Sequence, residues 1–136
     1  MRKEKILTVD KVWGEEIHIV NCPQYCGKLL VLDRNAVCSY HYHKTKQETF
    51  YCIEGYAMLT IEGKEYLLAP YTRPKTIMPG ERHKFRGISE AVILEISMQH
   101  SEDDVVRLTE SIKGCEDLDI APGGPQDGCA ERNIQG

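Results

Sequence analysis

Apolar and polar positions alternate over short distances along most of this chain, and almost nowhere do they recur with a helical period. Glu15-Glu16-Ile17-His18-Ile19-Val20 and Lys28-Leu29-Leu30-Val31-Leu32 are short alternating or apolar runs, with the turn chemistry of Cys22-Pro23-Gln24-Tyr25-Cys26-Gly27 between them. Glu48 to Ile53 is rich in aromatic and β-favouring residues and stops at Glu54-Gly55. Tyr56 to Ile61 alternates, Glu62-Gly63 reads as a tight hairpin turn, and Lys64 to Leu68 returns. Ala91 to Ser97 is a further apolar strand. Strands separated by turns at such short intervals predict an all-β sandwich or barrel.

Two segments break the pattern. Glu102 to Ile112, with Val105, Val106 and Leu108 apolar, is the one stretch expected to hold a short C-terminal helical turn. Beyond Lys113 the chain turns to Gly114, Gly123, Gly124 and Gly128 with Pro122 and Pro125, and few large apolar groups. Residues 1–113 are therefore expected to form one domain, and residues 114–136 a Gly/Pro-rich tail that is flexible or draped over a neighbouring subunit.

Composition narrows the class of partner. The 136 residues are 41% hydrophobic and 28% charged, ordinary for a globular protein. Seventeen Lys and Arg against 21 Asp and Glu leave a net charge of −4, which disfavours nucleic acid as the main partner. No apolar run reaches the roughly 18–20 residues of a membrane span. The charged start, Met1 to Leu7, carries no secretory pattern, so a cytoplasmic location with six reduced cysteines is expected. Of these, Cys38 and Cys52 fall in strands and should be small buried hydrophobes, while Cys115 and Cys129 lie in the tail.

The chemistry gathers in four residues. His41 and His43 are two apart, so on a strand both imidazoles leave the same face. Glu48 opens the next strand and can approach them across a hairpin, and His83 follows the Pro79-Gly80 turn. Three imidazoles and a carboxylate suit one divalent transition metal (Mn, Fe, Zn, Co or Ni), with positions left for water or substrate. His18 and His100 read as ordinary surface or core histidines.

The spacing resembles the cupin family, whose first motif is G-x5-H-x-H-x(3,4)-E-x6-G. Asn35, His41, His43, Glu48 and Gly55 stand at those places, and Gly80-Glu81-Arg82-His83 resembles the second motif, P-x-G-x-x-H. Asn35 replaces the leading glycine, which an asparagine tolerates because it adopts positive φ readily. Met78 stands at the proline position. The resemblance implies a double-stranded β-helix, or jelly-roll barrel.

Within that family, Val12-Trp13-Gly14-x-Glu16, Gly27-Lys28, Ser39, Lys46-x-Glu48 and Glu102-Asp103-Asp104-Val105-Val106-Arg107 are similar to the type II mannose-6-phosphate isomerase cupin domain and related stand-alone sugar cupins. The likeness spans roughly residues 11 to 113. The chain departs from the pattern at His41, Lys46 and Gly87, where the family tends to have Gln, Arg and Asn. It implies a small-molecule substrate, a sugar or sugar phosphate, isomerised or epimerised through a metal-stabilised enediolate. Lys46 and Glu95 are the candidate catalytic residues, Glu95 as a carboxylate inside an apolar strand and Lys46 as the neighbour of a ligand. A ferrous dioxygenase and a non-catalytic sugar-sensing cupin are the alternatives. The five cations Arg73, Lys75, Arg82, Lys84 and Arg86 would draw in an anionic substrate if they lined the barrel mouth, although alternation turns Arg82 and Lys84 away from His83. The resemblance also implies a homodimer, since small cupins commonly cover an edge strand by pairing, with the N-terminal strand and the Gly/Pro tail as the expected exchange elements.

Overall fold

The computed structural model describes residues 1–114 and the backbone of residues 134–135. Two antiparallel sheets face each other. The larger has the order β1 (Leu7–Lys11), β2 (Gly14–Asn21), β3 (Cys26–Leu32), β10 (Ala91–Ser97), β5 (Glu48–Glu54) and β8 (Lys75–Ile77). The smaller has the order β11 (Val105–Arg107), β4 (His41–His43), β9 (His83–Gly87), β6 (Ala57–Ile61) and β7 (Lys64–Leu68). A short ribbon joins β12 (Ser111–Ile112) to β13 (Ile134–Gln135). The rest of the Gly/Pro-rich tail, with Cys115 and Cys129, lies outside the described residues.

Alternation sorts the side chains. On β3 the residues Cys26, Lys28, Leu30 and Leu32 are buried and those between them half-buried; β10 buries Ala91, Ile93, Glu95 and Ser97 in the same way. Leu32, Ile93, Cys52, Leu59 and Phe85 fill the space between the sheets at one end of the barrel. At the other end the inward positions become polar. Cross-strand register aligns Lys28 with Glu95 and Glu95 with Phe50, and it aligns Cys26 with Ser97 and Ser97 with Glu48. The apolar end holds the barrel shut, and the polar end carries the chemistry.

Tight turns set the register. The Glu62-Gly63 hairpin has both residues at positive φ (47° and 81°), as a two-residue turn between twisted strands requires. Asn35 sits at φ 62°, the conformation its place at the head of the motif called for. Gly55 has φ 77°, and a Cβ there would lie 2.0 Å from the Glu90 carbonyl oxygen, so neither the dihedral nor the space admits a side chain.

The short helical turn expected within Glu102 to Ile112 is present and confined to its first residues. Only Glu102–Asp104 winds, as a single 3-10 turn, and Val105–Arg107 continues as β11. The reason is backbone hydrogen bonding: β4 would otherwise be an open edge, and two consecutive β-branched valines pair with it, Val105 against His43 and Val106 against Tyr42.

Candidate functional site

β4 turns His41 and His43 toward one mouth of the barrel, and β9 pairs with β4 so that His83 lies opposite His41. Glu48 enters from the first position of β5 in the facing sheet. The four side chains each offer a ligand atom, and these atoms all lie within 4.8 Å of one another. His43, Glu48 and His83 are buried and His41 half-buried.

Proton placement decides what such a cluster wants. His41 Nδ1 donates to the Ser39 carbonyl (2.7 Å) and His83 Nδ1 donates to the Glu81 carbonyl (2.9 Å), which leaves the Nε2 atom of each ring to face the cluster. His43 Nδ1 faces the Asp104 carboxylate at 3.6 Å. Burial, and then the neighbouring His83, push His41 down to about 3, which keeps it a neutral imidazole. Glu48 Oε2 lies 2.8 Å from His83 Nε2 and 3.1 Å from His43 Nε2, yet neither Glu48 Oε2 nor His83 Nε2 has a hydrogen-bond partner. Buried polar atoms that converge without a hydrogen-bond partner are costly unless a cation joins them. The residues therefore fit a divalent metal, with the Ser39 and Glu81 carbonyl oxygens behind His41 and His83 to hold the orientation of those two rings.

Asp104 has a second task. Its carboxylate accepts from the Thr45 amide (2.8 Å), the Thr45 hydroxyl (2.7 Å) and the Lys46 amide (3.1 Å), which pins the loop between β4 and β5. That loop delivers Lys46 into the barrel. The ammonium lies 3.2 Å from Glu48 Oε1, 3.2 Å from Glu95 Oε2 and 3.2 Å from His100 Nδ1. An ammonium has three donors, and all three are used. Burial alone would lower the Lys46 pKa, but Glu95 and Glu48 outweigh it and raise it, so the group stays protonated. Glu95 is buried and faces inward; Ser97 Oγ also donates to its Oε2 (2.8 Å), while its Oε1 accepts from none of the described residues.

The cluster opens into a cavity of about 240 Å³ whose lining includes Trp13, Glu16, Lys28, Phe50, Glu95 and His100. Lys28 is 1% exposed and meets Glu16 Oε1 at 3.5 Å. Arg107, on the rim, pairs with Glu102 at 3.0 Å. Phe50 forms wall, edge-on to Phe85 at 4.6 Å between ring centroids, whereas Tyr51 points out of the barrel. Cys38 and Cys52 are buried, as expected; burial pushes the Cys38 thiol up to about 12, so it is a packing residue.

The structure thus brings together all four expected ligands with Lys46 and Glu95. It does not bring in the basic segment: none of Arg73, Lys75, Arg82, Lys84 and Arg86 lines the cavity. Lys75 and Lys84 lie over the rings of Tyr66 and Tyr40, while Arg73, Arg82 and Arg86 are exposed. The cations that do face the cavity are Lys11, Lys28, Lys46 and Arg107. Lys28 was legible as a charge at an inward position of an apolar strand. His100 carried no such signal, since it follows its strand and reaches Lys46 only through the fold.

Two facing antiparallel sheets with this histidine–glutamate cluster at one mouth define a cupin fold. Solved structures agree on the fold. KdgF from Halomonas sp. superposes with a TM-score of 0.60 at 17% identity, covering 65% of this chain and 81% of that one. The capsular polysaccharide assembling protein CapF from Staphylococcus aureus gives 0.68 at 16% identity, covering 78% of this chain and 35% of that one. Oxalate decarboxylase from Bacillus subtilis gives 0.63 at 19%, covering 77% and 30%. No family model matches the chain. Among curated proteins, the D-lyxose/D-mannose isomerase of Thermosediminibacter oceani is 31% identical, covering 62% of this chain and 61% of that protein. The chain therefore spans less than two thirds of that relative's length.

Proposed function

We propose that this protein is a metal-dependent aldose–ketose isomerase acting on a free monosaccharide. The observation that carries the reading is the pairing of two sites in one cavity: a four-residue cluster fitted to a divalent cation, and beside it a carboxylate, Glu95, one oxygen of which accepts from none of the described residues. His41, His43, Glu48 and His83 would hold the metal. When bound, it supplies Lewis acidity that stabilises the developing enediolate.

The chain's own residues account for the proton. Glu95 Oε1 takes the proton from the carbon next to the aldose carbonyl, the hydroxyl proton of that carbon passes to the former carbonyl oxygen, and Glu95 returns its proton to the former carbonyl carbon, which yields the ketose. Lys46, protonated and saturated, is not the base. It positions Glu95 through Oε2 and lies between the two carboxylates Glu48 and Glu95. Phe50 and Trp13 give the cavity apolar wall, against which a sugar ring face can pack.

Charge pairing favours an uncharged substrate over a phosphate. Lys28 is matched by Glu16, Lys46 by Glu48 and Glu95, and Arg107 by Glu102. The fourth cation, Lys11, adds to the field on Glu16. The cavity volume is also below the range for drug-sized ligands, which suits one small ring.

The test is ketose formation by protein stripped of metal and then reloaded with Mn, Co, Ni, Zn or Fe. D-lyxose and D-mannose are compared with mannose 6-phosphate. The expected result is turnover of the free sugars in the reloaded protein alone. Turnover confined to the phosphate would refute the charge argument, and oxygen consumption by the ferrous form would point to an oxygenase.

A further inference from the structure

The cavity carries a second polar pair, on the strands farther from Glu48. Glu16 on β2 and Lys28 on β3 both line it. Glu16 Oε1 accepts from His18 Nε2 at 2.8 Å and lies 3.5 Å from Lys28 Nζ, while its Oε2 accepts from none of the described residues. Lys28 is almost fully buried, and its one contact is long for a hydrogen bond. An ammonium has three donors, so Lys28 has capacity left toward the cavity. Burial favours the protonated form of Glu16, but Lys28 and then His18 outweigh it and keep the carboxylate charged. Neither member of the pair touches a metal ligand. Sheet order sets the pair's distance from the chemistry: Lys28 lies opposite Glu95, and Glu16 is one strand further on. Two strand spacings are roughly 10 Å, a span that a hexose covers from its carbonyl end to its terminal hydroxymethyl group.

We propose that Glu16 sets the specificity of this cavity: its Oε2 accepts the terminal hydroxyl of a free sugar, and its charge, set against Lys28, turns away a sugar phosphate. Which end of the sugar lies at the metal rests on the isomerase reading above. A hydroxyl both donates and accepts, so one group can satisfy Glu16 Oε2 and Lys28 Nζ together. A phosphate monoester near neutral pH carries about −1.5 to −2 charge on acceptor oxygens. Lys28 would attract it, but Glu16 would face it with a second acceptor of the same sign. Charge over the whole lining points the same way. The four lining cations meet four carboxylates, Glu16, Glu48, Glu95 and Glu102, so no cation is left over for an anion. Removing the Glu16 charge alone would leave Lys28 as a buried ammonium without a counter-charge, and an anion entering the cavity would then supply one.

Calorimetry of D-mannitol and D-mannitol 1-phosphate binding to zinc-reloaded full chain tests the proposal, because neither polyol has a carbonyl to react. The wild type is expected to bind the free polyol at least about tenfold more tightly than the phosphate. Glu16→Gln should reverse the preference, a change in the ratio of at least about a hundredfold, since it removes a like charge at contact distance. Adding Lys28→Met to Glu16→Gln should abolish the gain in phosphate affinity. Circular dichroism and metal content report that each variant is folded and loaded. A measurement on the unmodified protein stands beside them: the NMR signal of the Glu16 carboxyl carbon should shift on saturation with mannitol. An unchanged ratio in folded Glu16→Gln, a gain that survives the loss of Lys28, or a Glu16 signal indifferent to mannitol would overturn the proposal. Turnover of D-mannose beside an unchanged ratio would sink the role of Glu16 and spare the isomerase reading. A reversed ratio in a protein that turns over no sugar would keep the subsite and sink that reading.

Discussion

Replacing Glu95 with Gln removes a base and almost nothing else. The amide oxygen can still accept from Lys46 and from Ser97, which now bond Glu95 Oε2 at 3.2 and 2.8 Å, while the amide nitrogen takes the place of Oε1. Lys46 keeps Glu48 and His100, so the fold should lose only about 1 kcal/mol. The metal ligands are not touched, and bound metal should stay stoichiometric. The chemical step is different, because an amide cannot take a proton from carbon. A positioned general base is worth about 10²–10⁴ in rate, or roughly 2.7–5.4 kcal/mol of barrier. Ketose formation from D-lyxose or D-mannose, followed by NMR, should therefore show kcat down by that factor with KM changed less than about threefold. Activity above about a tenth of wild type in folded, metal-replete Glu95→Gln would refute the assignment of Glu95 as base.

Other outcomes follow from the same geometry. His43→Ala and His83→Ala should each lower metal content, by mass spectrometry of the purified protein, from one per chain to a small fraction, since each removes one of four ligand atoms; stoichiometric metal in both would sink the site. His100→Ala withdraws one of the three acceptors of Lys46 and should reduce kcat about tenfold without loss of metal, with partial recovery in His100→Gln. Glu16→Gln tests the buried pair with Lys28. Burial favours the protonated carboxyl, but Lys28 and His18 overcome it and hold Glu16 below the ordinary carboxylate range. With the folded-state pKa depressed, the pair stabilises the protein above about pH 4.5 and loses that contribution as pH falls through the folded value. The variant should be less stable at pH 7 by about 3 kcal/mol in urea unfolding and show a flatter acid limb; an unchanged limb would contradict the pairing.

The ligands were legible in the sequence because their geometry is local. His41 and His43 share a face by strand alternation alone, and Glu48 and His83 stand next to turns marked by ordinary turn chemistry. The inward character of Lys28 and Glu95 could be read from the same alternation, but not their partners, which depend on the order of β2, β3, β10 and β5. His100 lay beyond any local signal, since its Nδ1 meets Lys46 only across 54 positions of chain. The Glu102 to Ile112 segment shows how tertiary context overrides a local pattern: Val105 and Val106 fit one helical turn as well as one edge strand, and the open edge of β4 decided it. The basic segment misled for a similar reason. Its charges are close in sequence, but Lys75 on β8, Lys84 and Arg86 on β9, and Arg73 and Arg82 ahead of those strands all stay off the cavity.

Solvent isotope exchange tests the central claim most directly. Metal-reloaded protein is incubated in D₂O with D-lyxose or D-mannose, and the recovered sugars are examined by NMR. Proton transfer by Glu95 predicts deuterium at the carbon next to the carbonyl in the aldose and at the former aldehyde carbon in the ketose, only with metal bound, and strongly reduced in Glu95→Gln. Stoichiometric metal with no deuterium in any aldose or ketose tried would contradict the isomerase reading.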